Sequence, residues 1–124
     1  MTDSVDDLLS RMLEDVFDEP DFAKRAEAIA ALFTEDCVFS DPHGRHIGHS
    51  ELQKAVADIR ATLPGFRFTA KLRQSLTDAG RQHWNFGVAG QSQQASGLDI
   101  IIVVDGKIGT LYTFLDPQAN GENK

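Results

Sequence analysis

The sequence has one cysteine, few basic residues and no long hydrophobic run. The lone Cys37 excludes an internal disulfide, which fits a reducing compartment, so we expect a cytoplasmic protein. The polar, acidic start Met1-Thr2-Asp3-Ser4 predicts no secretory signal peptide, and no apolar run is long enough to span a bilayer. Because Cys37 stands in the apolar stretch Cys37-Val38-Phe39, we expect an inert, buried thiol rather than a nucleophile.

Positive charge is also scarce. The chain has 12 Lys and Arg against 19 Asp and Glu, which gives a formal net charge of -7. No basic cluster stands out, so the sequence argues against binding to nucleic acid or to an anionic membrane. With 124 residues, 41% of them hydrophobic, the chain is long enough for one domain, predicted over residues 1–115. Residues 116–124 have nothing apolar to bury, and we expect a disordered tail.

Apolar spacing predicts three helices. The first has a narrow apolar stripe, is capped by Ser4 and ends before Pro20. The second runs from about Asp21 to Phe33, and the third is predicted to be capped by Ser50 and to stop at Pro64-Gly65. The residues expected to pack are Val5, Leu8, Leu9, Met12, Leu13 and Val16 in the first helix, Phe22, Ile29, Leu32 and Phe33 in the second, and Leu52, Val56, Ile59 and Leu63 in the third.

The strands are predicted mainly after the third helix. A short strand over Cys37–Ser40 is the exception. Alternation of apolar and polar residues predicts strands from Phe66 to Arg73 and around Trp84–Val88, and residues 91–96 are interpreted as a polar connection. The segment 97–115 predicts a hairpin that turns at Asp105-Gly106. Its first arm is apolar on both faces, so we expect it to be covered on both sides.

This order of elements predicts an α+β fold. The three helices should pack on one side of a mostly antiparallel, strongly curved sheet. The concave side of the sheet, closed by the helices, then forms an apolar pocket.

Asp99 is the exception in the hairpin. It shares a face with Ile101 and Val103, and a carboxylate among aliphatic side chains is costly unless it is hydrogen-bonded or protonated. The alternative is that Asp99 stands at a frayed strand start, in water, with no function.

Asp41 precedes a stretch with three histidines, His43, His46 and His49. Their spacing would put three ligands on one side of a helix, but Gly44 and Gly48 indicate an irregular loop instead. We therefore expect surface histidines and no metal. Glycine-rich phosphate loops, dinucleotide fingerprints and nucleophile-elbow serines are not found.

Two motifs and the order of elements resemble the nuclear transport factor 2-like superfamily. The matching segments are residues 32–42 (Leu-Phe-Thr-Glu-Asp-Cys-Val-Phe-Ser-Asp-Pro), Gly48 before the third helix, Gly97-Leu98-Asp99 and Asp105-Gly106-Lys107-Ile108. Members of the superfamily are cone-shaped α+β barrels and include SnoaL-like polyketide cyclases and ketosteroid isomerases. The resemblance covers Val5 to about Leu115 and is specific for the fold, but weak for the reaction.

The resemblance implies roles for two aspartates. Asp41 matches the general base of ketosteroid isomerases, and Asp99 matches the aspartate that donates to the substrate oxyanion or serves as general acid. Three departures accompany this match. Met12 stands where the isomerases have a tyrosine, and Gly97 stands where the epoxide hydrolases of this fold have an arginine. Tyr112, on the last strand, cannot supply the isomerase tyrosine network.

These features favour proton transfer next to a carbonyl, in an isomerase or aldol-type cyclase without cofactor or metal. A non-catalytic binding module for a small hydrophobic ligand, or a protein adaptor, are the alternatives. Burial should keep Asp99 protonated near neutral pH, whereas Asp41 should be hydrated and ionised at the pocket mouth. We also expect a homodimer through the outer face of the sheet. The candidate substrate-binding residues are Met12, Trp84, Phe86, Ile101, Tyr112 and Phe114.

Overall fold

Helices form the first half of the chain in the computed structural model, which describes residues 4–88 and 90–117. Helix α1 is Val5–Arg11 and runs directly into a π-helical segment, Met12–Phe17. Helices α2 and α3 are Phe22–Leu32 and Gly48–Thr62. No described helix has the length and apolar character needed to cross a membrane.

The helix starts confirm one predicted cap and correct another. Ser4 and Asp7 form a reciprocal capping box at the start of α1. Helix α3 begins at Gly48, so Ser50 lies inside the helix and the prediction that it caps the helix was wrong. The Glu51 carboxylate instead accepts the Ile47 backbone N–H at 2.7 Å.

The π-helical segment is a local widening of the first helix. The Asp18 N–H donates to the Leu13 carbonyl at 2.9 Å, a span of five residues instead of the usual four. Such wide turns are rare and often stand at functional sites, because they redirect the side chains of one turn. Here the widened turn carries Leu13 and Phe17, which face the sheet.

Six strands form one mixed, curved sheet in the order β2-β1-β6-β5-β4-β3. Only β1 and β6 are parallel, and the other neighbours are antiparallel. The predicted α+β class with a mostly antiparallel sheet is therefore confirmed. The strands are β1 Phe33–Asp41, β2 Gly44–Ile47, β3 Arg67–Ser75, β4 Ala79–Val88, β5 Gln91–Val104 and β6 Lys107–Leu115.

Two segments interpreted as loops are strands. Residues Gly44–Ile47 pair with β1, so the histidine stretch is largely a hairpin arm. Residues 91–96 extend β5 and pair with β4, for example Ser96 with Asn85. Hydropathy could not reveal either strand, because backbone pairing holds them while their side chains are mostly polar.

The core lies between the helices and the concave face of the sheet. Its fully buried members include Leu9, Met12, Leu32, Ile101 and Leu111. Phe22 was predicted to pack but is 62% exposed. The outer face of the β5–β6 hairpin is also exposed, so the prediction that β5 is covered on both sides is not met within a single chain. The exposed residues there are Ile102, Val104, Tyr112 and Phe114.

The turn of this hairpin is as predicted, but a bulge changes its register. Asp105 and Gly106 both have positive φ, 52° and 80°, as a tight two-residue turn requires. Val103 pairs with Ile108, yet Ile102 pairs with Thr110, so Gly109 is an extra residue in β6. Most of the tail predicted to be disordered, residues 118–124, lies outside the described residues.

Candidate functional site

A cavity of about 190 Å³ lies between the π-helical segment, α3 and the concave face of the sheet. Most of its wall is apolar. The wall has few polar groups. Asp41 and Asp99, the two predicted aspartates, are both among them and so line the same cavity. Its apolar wall includes Leu13, Phe17, Phe39, Ile59, Phe68 and Phe86.

Asp99 lies within β5, directly opposite Thr113 of β6 and only 3% exposed. The interpretation of Asp99 as a frayed, solvated strand end was therefore wrong. The Thr113 hydroxyl donates to Asp99 Oδ1 at 2.7 Å. Burial raises the pKa of Asp99 to about 6, although the Thr113 hydroxyl and the Trp84 indole N–H, which both favour the carboxylate, oppose the shift.

The direction of this shift is the one that the sequence predicts. A pKa raised to about 6 brings the charge change of Asp99 close to neutral pH. Because desolvation is the main cause of the shift, an apolar ligand that displaces water should raise the pKa further.

Asp41 stands at the end of β1, where the chain turns into β2. Its side chain is only 7% exposed, more buried than the hydrated loop position that was predicted. The His43 backbone N–H donates to its Oδ1 at 3.0 Å, and His46 Nε2 lies 3.3 Å from the same oxygen. Asp41 is buried because residues 44–47 form a strand paired with β1, which places His46 over the Asp41 side chain.

The two aspartates flank the same position of β6. Ser40 of β1 lies beside Tyr112, so Asp41 reaches the level of Thr113, the partner of Asp99 on the other side. One strand therefore separates Asp41 from Asp99, and two strand spacings put their Cα atoms roughly 10 Å apart. A small molecule between them can contact both carboxyl groups.

Trp84 adds a third polar group. It is 3% exposed, lines the cavity and pairs with Gly97 across β4 and β5. Its indole N–H lies near enough to Asp99 to lower the pKa of that carboxyl, yet within the described residues it makes no hydrogen bond of good geometry. A buried N–H without a partner is unusual and points to a missing acceptor.

The other predicted substrate-binding residues are divided between core and surface. Phe86 lines the cavity. Met12 and Ile101 are fully buried in the core, outside the cavity wall. Tyr112 and Phe114 are exposed on the outer face, because the bulge at Gly109 places Tyr112 opposite Ile100 instead of Asp99.

Sequence reasoning missed several residues of the site. Leu13 and Phe17 were assigned to packing alone, and Thr113 was not considered. Thr113 has a signal in the sequence, since a glycine inside a strand, here Gly109, suggests a bulge and thus a shifted partner for Asp99. His46 was treated as a surface residue, but its ring stacks on Phe39 at 5.3 Å and contacts Asp41.

The histidines do not form a joint cluster. His49 Nε2 lies 3.1 Å from the Phe33 carbonyl and 2.9 Å from that of Thr34, so this nitrogen carries a hydrogen and donates it. His46 and His49 are therefore partly buried, unlike the surface histidines that were predicted. In residues 4–88 and 90–117, no group of three or more His, Cys, Asp or Glu side chains could hold a metal ion.

A model of the SnoaL-like domain family matches residues 9–109, which is most of the chain. The chain belongs to the SnoaL-like family. The predicted membership of the nuclear transport factor 2-like superfamily is thereby confirmed. No curated protein matches the chain.

Solved structures of this SnoaL-like fold are similar over nearly the whole chain. A provisionally named isomerase of the SnoaL-like family from Agrobacterium tumefaciens has a TM-score of 0.82 at 20% identity, covering 89% of this chain and 95% of its own. A provisionally named ketosteroid isomerase from Kribbella flavida has a TM-score of 0.72 at 19% identity, with coverages of 95% and 83%. A provisionally named polyketide cyclase from Sinorhizobium meliloti has 0.69 at 14%, with coverages of 86% and 93%. At these identities the similarity establishes the fold.

Proposed function

We propose that this SnoaL-like domain catalyses proton transfer at a carbon next to a carbonyl, as an isomerase or an aldol-type cyclase, without a cofactor. One observation carries the proposal: Asp41 and Asp99 line a single, mostly apolar cavity from two different strands. Two carboxyl groups in unlike environments are what acid–base chemistry on a carbonyl compound requires.

Asp41 is the base. Its carboxylate takes the proton from the carbon, and the C–H electron pair moves into the C–C bond while the carbonyl π pair moves to the oxygen. The His43 N–H and His46 fix the carboxylate in place, which limits the reorganisation needed at the moment of transfer. In an isomerase Asp41 returns the proton to another carbon. In a cyclase the enolate carbon instead attacks a second carbonyl carbon of the same molecule, whose π pair moves to its oxygen, and that oxygen then takes the proton from Asp41.

Asp99 is the acid, and it stabilises the enolate oxygen by donating its own proton in a hydrogen bond. This role requires the protonated form, which the raised pKa of about 6 brings within reach near neutral pH. Ligand entry should increase the protonated fraction, because it excludes water from an already buried group. The names of the similar structures, isomerase, ketosteroid isomerase and polyketide cyclase, belong to the same class of chemistry.

A binding module without catalysis is the second candidate, and the position of Met12 favours it. Where ketosteroid isomerases have a tyrosine donor, this chain has a thioether that is fully buried in the core. Such a module would keep the cavity and bind a small hydrophobic ligand without turning it over.

Deuterium exchange tests the choice between them. The protein is incubated in heavy water with a panel of cyclic enones and β-keto compounds, and incorporation at the carbon next to the carbonyl is followed by NMR. Exchange above the rate in buffer alone supports the enzyme. Compounds that bind but do not exchange any faster would contradict the enzyme and leave the binding module.

A further inference from the structure

The size of the cavity limits what it can hold. A cavity of about 150 Å³ is known to take a benzene molecule, whereas drug-sized ligands occupy pockets of about 300–1,000 Å³. At about 190 Å³, the cavity of this chain lies close to the lower figure. A volume of this size holds a single six-membered ring with small substituents, and a larger skeleton would have to extend out through the mouth at Asp41 and His43.

Within the part of the chain that the structure describes, the indole N–H of Trp84 makes no hydrogen bond of good geometry, although it lies near enough to Asp99 to favour the carboxylate. Gln82, the residue opposite Asp99 on β4, is fully engaged elsewhere, since it donates to the Leu9 carbonyl at 3.1 Å and accepts from Arg73 at 2.7 Å. Trp84 lies two residues further along the same face, diagonal to Asp99, at about 7–8 Å between Cα atoms. An oxygen that contacts Asp99 is therefore within reach of the Trp84 N–H.

Gly97 leaves the space that the indole ring of Trp84 occupies. A Cβ atom at Gly97 would lie 2.5 Å and 2.6 Å from Cζ2 and Cη2 of Trp84, closer than real contacts allow. The ring thus lies directly against the β5 backbone, two residues before Asp99. This packing also explains physically why no side chain stands at position 97.

Aromatic rings form the wall beside the indole. Phe68 stacks on Phe86 at 4.1 Å between centroids, and Trp84 meets Phe68 edge-on at 5.0 Å. Rigid aromatic walls of this kind favour a flat ligand, because a planar ring can pack against them without reorganising side chains.

We infer that the cavity binds a planar compound with one ring, whose oxygen accepts a hydrogen bond from Trp84 Nε1 beside Asp99. This inference rests on the proposed function, because it names the ligand class of the same cavity. It assigns to Trp84 a donor role that is independent of Asp99, since an indole N–H is a donor at every pH.

Phenol and toluene are suitable probes, because they have the same size and differ in the oxygen. Trp84 is the only tryptophan, so ¹⁵N-labelled protein shows one indole N–H resonance, and that resonance reports directly on this site. We expect phenol to move the resonance downfield and toluene to leave it nearly unshifted. In Trp84→Phe, phenol affinity should fall about tenfold while toluene affinity changes less than about twofold.

Phe86→Leu is the matched control, because it alters the same wall without removing a polar group and should weaken both probes alike. The inference is overturned if neither probe binds, if the indole resonance ignores phenol, or if Trp84→Phe weakens phenol and toluene equally. A four-ring steroid enone that binds in the cavity would overturn the size limit. Should Trp84→Phe not fold, the resonance of the wild-type protein decides.

The outcome is separable from that of the proposed function. Phenol binding with the downfield shift but without any deuterium exchange leaves this inference standing and rejects catalysis. Deuterium exchange by the wild type, combined with a Trp84 N–H resonance that does not respond to phenol, supports catalysis and rejects this inference.

Discussion

Thr113 donates a hydrogen bond to Asp99 across the β5–β6 pair, with 2.7 Å between Thr113 Oγ1 and Asp99 Oδ1. The bond fixes the carboxyl group toward the cavity and favours its ionised form. Burial outweighs this effect, so the pKa of Asp99 is raised from 3.8 to about 6. The charge of Asp99 therefore changes near pH 6, within the pH range of ordinary solution experiments.

The raised pKa predicts a specific dependence of stability on pH. Between pH 4 and pH 6 the folded protein holds a proton on Asp99 that the unfolded chain has lost, so stability falls as pH rises through this window. A shift of about two units corresponds to about 3 kcal/mol. Asp99→Asn should remove this loss and be more stable than the wild type at pH 7.

Urea unfolding at a series of pH values measures this difference. The exposed Asp36→Asn serves as the control and should follow the wild-type curve. Parallel curves for Asp99→Asn and the wild type between pH 4 and pH 7 would show that Asp99 is not titrating as described.

Two substitutions of Asp99 should separate the effect of side-chain shape on ligand binding from the effect of the hydrogen bond that Asp99 donates. Asp99→Asn keeps a donor, so it should bind a phenolic or enolate-like ligand with a loss of only a few-fold. Asp99→Leu removes the donor and should lose on the order of a hundredfold. Titration of both variants with phenol, at pH 5.5 and 8, tests whether Asp99→Asn binds phenol more tightly than Asp99→Leu does. Equal binding by the two variants would be inconsistent with a donor role.

The exposed outer face of the hairpin predicts a homodimer. Val104 and Phe114 are 47% and 55% exposed in the single chain, and contiguous exposed apolar residues often mark a protein–protein interface. Ile102→Arg should produce monomers in analytical ultracentrifugation. Leu76→Arg, at a more exposed apolar residue (75% against 36% for Ile102) directly after β3, should not. A wild-type protein that sediments only as 13.6 kDa at micromolar concentration would refute the dimer.

Metal removal should have no effect. If the histidines only support the hairpin, a chelator leaves the melting temperature and phenol binding unchanged. The opposite result would be a stoichiometric amount of zinc in the purified protein that is lost in His43→Ala or His46→Ala.

The fold could be predicted from the sequence because its main signals are local. The helical stripe from Val5 to Val16 and the Asp105-Gly106 turn each depend on a few neighbouring residues, and both are found in the structure. The sequence also singles out Asp99, because a carboxylate within an aliphatic strand is a conflict that it shows directly, but the residues alone left a frayed, solvated position as an alternative.

The wall of the site could not be predicted in the same way, since it depends on register. A regular hairpin from the Asp105-Gly106 turn would place Tyr112 opposite Asp99, on the inner face. The extra residue Gly109 shifts the pairing between β5 and β6 by one residue, so Thr113 faces the cavity and Tyr112 faces outward. The burial of Asp41 was missed for a related reason, because strand β2 is held by backbone pairing that side chains do not reveal.

The central claim is that Asp41 is the base, and Asp41→Asn tests it most directly. The amide keeps an acceptor for the His43 N–H but cannot take a proton from carbon. With a single-ring enone in heavy water, binding and deuterium incorporation can be followed in one sample by NMR. We expect binding equal to or better than that of the wild type, because a negative charge has been removed, and exchange no faster than in buffer. Asp58→Asn, at an exposed carboxylate paired with Lys54, should exchange at the wild-type rate. Exchange by Asp41→Asn at the wild-type rate would contradict the account.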